Sequence, residues 1–214
     1  MKLISINIGS KRTLQRKNRM ETTGIFKLPV EGPVKIEKLG IKSDFIASTK
    51  HHGGPDQAIY IYGLADYQWW SKELGREIPP GTFGENLTIS ELESADFNIG
   101  DFLHMDEVTL QVTAPRIPCG TFASRMEDPA WVKKFRQAER PGLYCRVMRE
   151  GSVNTGDSVS VEKYNEKTLS VLEMYRGYYE KDKSEEVLRQ HLDAPIDIRS
   201  RIDLEKELQK VLQQ

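Results

Sequence analysis

The chain has 214 residues, 38% hydrophobic and 29% charged, with a formal net charge of −1. Those figures describe a folded globular protein and exclude a disordered one. Near-neutral charge gives no bulk attraction to nucleic-acid polymers or anionic membranes, and no apolar run approaches the roughly 20 residues of a membrane helix.

The start, MKLISINIGS, lacks the apolar stretch and cleavage site of a signal peptide. From there to about residue 162 the chain reads mostly as short strands. KLISINIG alternates with period two, with Ile4, Ile6 and Ile8 on one face and Ser5 and Asn7 on the other. VKIEKLGI does the same through Val34, Ile36 and, less regularly, Leu39. QAIYIYG is a β-branched and aromatic run suited to a buried strand. LADYQWWSKELG predicts a helix with Leu64, Tyr67, Trp70 and Leu74 on one face and Gly75 at its end. NLTI, FLHM and VTLQV follow as strands. DPAWVKKFRQAE predicts a second helix, with Asp128 as N-cap, Pro129 first in the helix, and Trp131, Phe135 and Ala138 as its apolar face. LYCRVM and SVSVEK complete the strands, and Gly100-Asp101 and Gly156-Asp157 suit turns. Many short strands at irregular spacing predict a mainly β fold, a closed or nearly closed barrel.

The pattern changes near KYNEK, Lys163 to Lys167. Residues 168–214 predict three helices. The first carries Leu169, Leu172 and Tyr175 and ends near Gly177. The second opens at Ser184 and carries Val187, Leu188 and Leu192. The third follows IDIRS, with Ile202, Leu208, Val211 and Leu212. A helical module of about 50 residues is marginal alone, so it is expected to dock on something. The expected division is 1–162 and 168–214.

The chain has two cysteines, which in the absence of a secretion signal read as reduced thiols in a cytoplasmic protein. Cys145 is in phase with Leu143 and Val147, as a small core hydrophobe would be. Cys119 follows the strand in LQVTAPRIPCGTF, between Pro118 and Gly120. Such a loop can hold a thiolate rigidly, with Arg116 keeping it ionised or binding an anion beside it; equally, it is a turn where Cys happens to fit. In KHHGGPDQAIYIY, His52 and Asp56 bracket Gly53 and Gly54. This is either an Asx-type turn or a loop whose N–H groups approach a ligand. The His51-His52 pair is a weak metal signal, and without CxxC or HxxxH no structural zinc site is expected. PPGTFGENLTI alone is an ordinary loop. The chain has no GxxxxGK[ST], GxGxxG or GxSxG, so nucleotide binding through those devices is not indicated.

In this order, HGGPDQAIYIY, GTFGENLTI, IGD, LQVTAPRIPCGTF and PGLYCRVMREGSVNTGD resemble the MOSC domain, named after the C-terminal part of molybdenum-cofactor sulfurase. The resemblance spans roughly residues 1–162. The tail is similar to the helical module of the bacterial YiiM-like branch. The resemblance implies a MOSC-type β-barrel that binds molybdenum cofactor (molybdopterin), with Cys119 as catalytic residue and metal ligand to molybdenum. A soft thiolate suits such a centre. It also implies reduction of N-hydroxylated compounds (hydroxylaminopurines, hydroxylamines, amidoximes) to amines. Position by position, it implies that Arg116 faces the cofactor's anionic parts and that Thr82, Phe83 and Asn86 line its pocket. Ser10 and Lys11 would bind phosphate, and His52, Gly53 and Gly54 would shape the site. One departure is Ser43-Asp44, where the family often has Gly-Asp. The chain carries no flavin or dinucleotide fingerprint and no four-cysteine cluster set, so a separate electron-donor protein or reductase is expected. A small N-hydroxylated substrate is the other expected partner, and a homodimer is left open. The alternative is a cofactor- or sulfur-carrier module that uses a Cys119 persulfide.

Overall fold

Strand β1 (Leu3–Gly9) is covered on both faces. Ile6 packs in the core, yet Ser5 and Asn7 are also buried and Ile4 is exposed. The register slips between Leu3 and Ser5, which breaks the strict alternation. Ser5 Oγ donates to Asn7 Oδ1 at 2.7 Å, and Asn7 Nδ2 donates to Thr88 Oγ1 at 3.2 Å. The second face is buried because its polar groups find each other.

The computed structural model describes residues 1–16, 19–47 and 52–213. After β1 come β2 (Arg12–Arg16), β3 (Arg19–Thr23), β4 (Lys27–Pro29), β5 (Val34–Glu37), β6 (Gly40–Ile41) and β7 (Ile59–Gly63). Then follow β8 (Leu87–Ile89), β9 (Phe102–His104), β10 (Thr109–Pro115), β11 (Leu143–Arg149), β12 (Gly151–Val153) and β13 (Ser160–Glu162). The main sheet has eight strands in the order β13-β9-β10-β11-β7-β8-β1-β4; β12, β5 and β6 form a second sheet, and β2 and β3 a hairpin. Only β7–β8 pair in parallel within the main sheet, with helix α1 (Leu64–Leu74) in the crossover between them. The sheet curls until Leu3 N donates to Asp157 O at 2.9 Å and Val159 N to Met1 O at 3.0 Å, next to β13. No strand pairing joins its two ends, β13 and β4, among the described residues. The fold is therefore sheet-rich with helices, a curled sheet and not the closed barrel expected from the sequence, among the described residues. Leu39, expected to extend β5, is 65% exposed in the turn to β6.

Five further helices are α2 (Gly120–Arg125), α3 (Trp131–Ala138), α4 (Val171–Gly177), α5 (Glu185–Asp193) and α6 (Ile198–Val211). The sequence did not predict α2. Helix α3 starts later than expected: Asp128 Oδ1 accepts from Ala130 N at 2.8 Å, and Ala130 takes the N-cap position. Ser184 caps α5 as expected, accepting from Val187 N. In α6 the buried face is Leu204 and Leu208, whereas Ile202 and Leu212 are exposed. The helix begins at Ile198 with Asp197 as its N-cap, so IRS lies inside it.

The apolar core runs without a break from the strands into α4, α5 and α6, through Val171, Met174, Leu188 and Leu204. A second, aromatic core lies under α1, α2 and α3. Phe83 sits at its centre, with ring centroids 4.6 Å from Tyr62, 4.8 Å from Tyr67 and 5.9 Å from Phe122. Phe83→Ala should cost about 3–5 kcal/mol, the usual loss when a buried Phe leaves a cavity. Urea unfolding measures this, and a loss below about 1 kcal/mol would show that the cluster repacks.

Candidate functional site

Strand β10 ends at Pro115, and the next four residues turn into α2. Cys119 holds the N-cap position in an extended backbone conformation, and its carbonyl accepts from Ala123 N at 3.1 Å. The proline-bounded turn leaves Cys119 half-buried at the wall of a cavity of about 650 Å³. Arg116 lines the same cavity and is only 5% exposed. Its Nη1 donates to Phe83 O at 2.6 Å, and its guanidinium lies 4.8 Å from the Tyr60 ring centre and 4.5 Å from that of Phe122. Among the described residues it forms no salt bridge. A buried cation held by aromatic faces and one carbonyl has room for an anion.

The other walls come from distant parts of the chain. Lys27 of β4 is buried and ion-paired with Asp44. Burial pulls the Lys27 ammonium pKa down, against the pull of Asp44. Asp44 also accepts from Gly9 N at 2.7 Å through Oδ1 and from Asn86 Nδ2 at 2.9 Å through Oδ2. Asp44 thus fixes the end of β1, while neighbouring Ser43 is exposed. Gly84 is at φ +75°, where an added Cβ would come 3.0 Å from Ile25 and 3.3 Å from Arg116 Nη1. That position admits glycine, and a side chain there would push Arg116 out of place.

The MOSC domain pattern matches residues 48–160, over half of the chain. The chain belongs to the MOSC-domain family. It is 34% identical over 169 residues to YflK of Bacillus subtilis (strain 168), covering 79% of this chain and 76% of that protein. A Gibberella moniliformis protein named "Reductase" is 32% identical over 159 residues, which is 72% of this chain but 28% of that one. The crystal structure of YiiM from Geobacillus stearothermophilus superposes with a TM-score of 0.79 at 28% identity, covering 97% of this chain and 98% of that chain.

In this MOSC chain, the residues singled out from the sequence separate into two groups. Cys119, Arg116, His52, Gly53 and Asn86 line the Cys119 cavity. Ser10 and Lys11 are exposed in the β1–β2 connection, and Gly54, Thr82 and Phe83 are also absent from the cavity wall. Thr82 Oγ1 donates to Pro79 O at 2.6 Å, and Phe83 belongs to the aromatic core. Asn86 is committed on both sides: its Oδ1 accepts from Tyr60 N at 3.2 Å, and its Nδ2 reaches Asp44. Next to it, buried Glu85 accepts from Tyr67 OH and Gly81 N, each at 2.6 Å. Burial raises the Glu85 pKa. Within FGEN, Gly84 and Asn86 therefore form part of the cavity wall, while Phe83 and Glu85 anchor the stretch behind it.

His51 lies outside the described residues. His52 stands between Arg116 and Arg199, and its pKa drops from 6.5 to about 4, first through burial and then through those two cations. It is neutral near pH 7. Below 6.5 the unfolded chain takes up a proton that the folded chain refuses until about pH 4. Stability tied to His52 is therefore full above 6.5 and is lost as pH falls towards 4. His52→Gln should flatten the stability–pH slope in that window, as read by urea midpoints. An unchanged slope would place the titration elsewhere.

The sequence did not assign Lys27, Tyr60, Tyr144 or Tyr178 to the site, yet all four line the cavity. The tail also reaches the GGPDQ turn directly. Arg199 of α6 donates to Gln57 Oε1 at 2.8 Å and to Gly53 O at 2.9 Å, and Ile198 N donates to Asp56 Oδ2 at 2.8 Å. Asp56 is ion-paired with Arg146 at 3.1 Å, and Arg146 Nη2 donates to Pro195 O at 3.1 Å. No helix is long and apolar enough to cross a membrane among the described residues.

Proposed function

We propose that this protein is a molybdenum-cofactor-dependent reductase that converts N-hydroxylated compounds to amines. The observation that carries the reading is one cavity faced by both a half-buried thiol, Cys119, and a buried guanidinium, Arg116, that has no carboxylate partner among the described residues. The donor set suits a pterin-based molybdenum cofactor. No group of three or more His, Cys, Asp or Glu able to hold an ion exists among the described residues. A metal bound at Cys119 would therefore bring its other donors with it. Cys119 would hold the metal, and Arg116 would face an anionic part of the cofactor.

When bound, the cofactor supplies the two-electron oxygen-atom chemistry. The chain supplies position and electrostatics. The loop between Pro115 and α2 fixes the sulfur. Tyr60 and Phe122 fix the plane of Arg116. Neutral His52 adds no positive charge beside it. The conversion consumes two electrons and two protons per N–OH group and releases the amine and one water, so a separate electron donor is required. Membership of the MOSC family and the name of the Gibberella relative support this reading.

The test is a single-turnover assay. Cofactor-loaded protein, reduced chemically, is given benzamidoxime, and benzamidine is counted by mass spectrometry. About one product per loaded chain is expected. No product from fully loaded, reduced protein, with hydroxylamine and a hydroxylaminopurine equally inert, would remove the assignment.

A further inference from the structure

A second cavity, of about 360 Å³, lies between the main sheet and helices α4, α5 and α6. It shares His52, Gln57, Ile117, Tyr144 and Tyr178 with the Cys119 cavity, so the two adjoin along one wall. Tyr178 is 61% exposed at this boundary.

The charged groups around the second cavity are unevenly spent. Lys183 Nζ donates to Glu180 O at 3.1 Å and to the Glu207 oxygens at 3.3 and 3.2 Å. Arg199 is committed to Gln57 and Gly53. Burial keeps the His191 pKa below 6.5, so this histidine adds no charge near neutrality. Among the described residues, one buried carboxylate oxygen of the cavity wall remains. Asp197 is 1% exposed and caps α6 through Oδ1, which accepts from Arg199 N at 3.1 Å and Ser200 N at 3.2 Å. Its Oδ2 is buried with no hydrogen-bond partner among the described residues. Asp203, six residues further along α6 and paired with Lys206 at 3.4 Å, adds a second carboxylate at the exposed side of the same cavity. An unpartnered buried carboxylate oxygen is costly until a donor reaches it.

We propose that this second cavity holds the non-reacting end of the substrate, and that Asp197 selects a cationic, hydrogen-bond-donating group there, of the amidinium or ammonium class. The substrate part of the proposal rests on the reductase reading; the cation site does not. The volume suits a ring bearing a short cationic arm. An anion in the same place would meet Asp197 and Asp203, while the donors of Lys183 and Arg199 are already engaged.

The test is calorimetric titration of the full chain with benzamidine, and separately with benzoate. Asp197→Asn keeps the capping oxygen and removes the charge. Benzamidine affinity should fall about tenfold or more, as expected for a lost charge-assisted contact, with benzoate affinity unchanged. Ser200→Leu narrows the cavity from the same helix and should also weaken benzamidine, which guards against misfolding of a single variant. Equal benzamidine affinity in wild type and Asp197→Asn, or no binding to wild type, overturns the proposal. A protein that bound benzamidine through Asp197 but reduced no N-hydroxylated compound would uphold the cation site and remove the reductase reading. An active reductase whose KM for 4-(aminomethyl)benzamidoxime was unmoved by Asp197→Asn would remove the substrate part of the proposal.

Discussion

Cys119→Ala is expected to abolish molybdenum retention and lower reductase activity at least about 100-fold, more than the loss typical of outer-shell ligand partners. The fold should survive, because Cys119 is half-buried and its backbone, not its sulfur, starts α2. Cys145→Ala is the control. Cys145 is fully buried among the β10–β11 core, and burial pushes its thiol pKa well up, so it is no thiolate. That variant should keep activity and lose about 1 kcal/mol of stability. Activity and thermal unfolding of the two variants measure the contrast. Full activity in loaded Cys119→Ala would place the chemistry on another residue.

Arg116→Met is expected to leave the empty protein nearly as stable as wild type and to weaken cofactor retention in the loaded protein. In the empty protein it removes a buried charge that has no carboxylate partner among the described residues, at the cost of one hydrogen bond to Phe83 O and the contacts with the Tyr60 and Phe122 rings. Those two effects oppose each other, so stability should change by no more than about 1 kcal/mol. In the loaded protein the anion loses its cation, and cofactor retention should fall at least about tenfold. Melting of the cofactor-free variant and cofactor content after gel filtration give the two readings. A variant that failed to fold when empty, or that held the cofactor as wild type does, would make Arg116 a purely structural residue.

Much of the fold was legible because the strands and longer helices carry their own periodicity. β7, β10 and β11 follow β-branched and aromatic runs, and α1 ends at Gly75 in the left-handed conformation that such a C-cap uses. Helix α2 was not legible: its six residues, GTFASR, are too few to show a 3.6-residue repeat. The burial of Ser5 and Asn7 was hidden because their partners, notably Thr88, are distant in sequence. The exposure of Ile202 and Leu212 depended on which side of α6 meets α5, and both sides of that helix carry apolar residues.

Of the cavity wall, Cys119 and Arg116 were legible in one short loop, and His52, Gly53 and Asn86 in two others. The rest was not, since Lys27, Tyr144 and Tyr178 come from three separate elements and carry no local signal. Lys27 is the plainest case. A lysine in a short strand ordinarily reads as an outward solubilising charge, and only its Asp44 partner accounts for its burial. The ties between α6 and the GGPDQ turn are equally non-local, with Arg199 standing 142 residues after Gln57.

The Cys119 cavity is expected to hold a molybdenum cofactor through that sulfur. The most direct test is the molybdenum and pterin content, per chain, of wild-type protein purified from cells that synthesise the cofactor, with Cys119→Ala purified in parallel. Near one molybdenum and one pterin per wild-type chain, and neither in the variant, is the predicted result. Wild-type protein free of both, but carrying cyanide-labile sulfur on Cys119, would contradict the account and turn the site into a sulfur carrier.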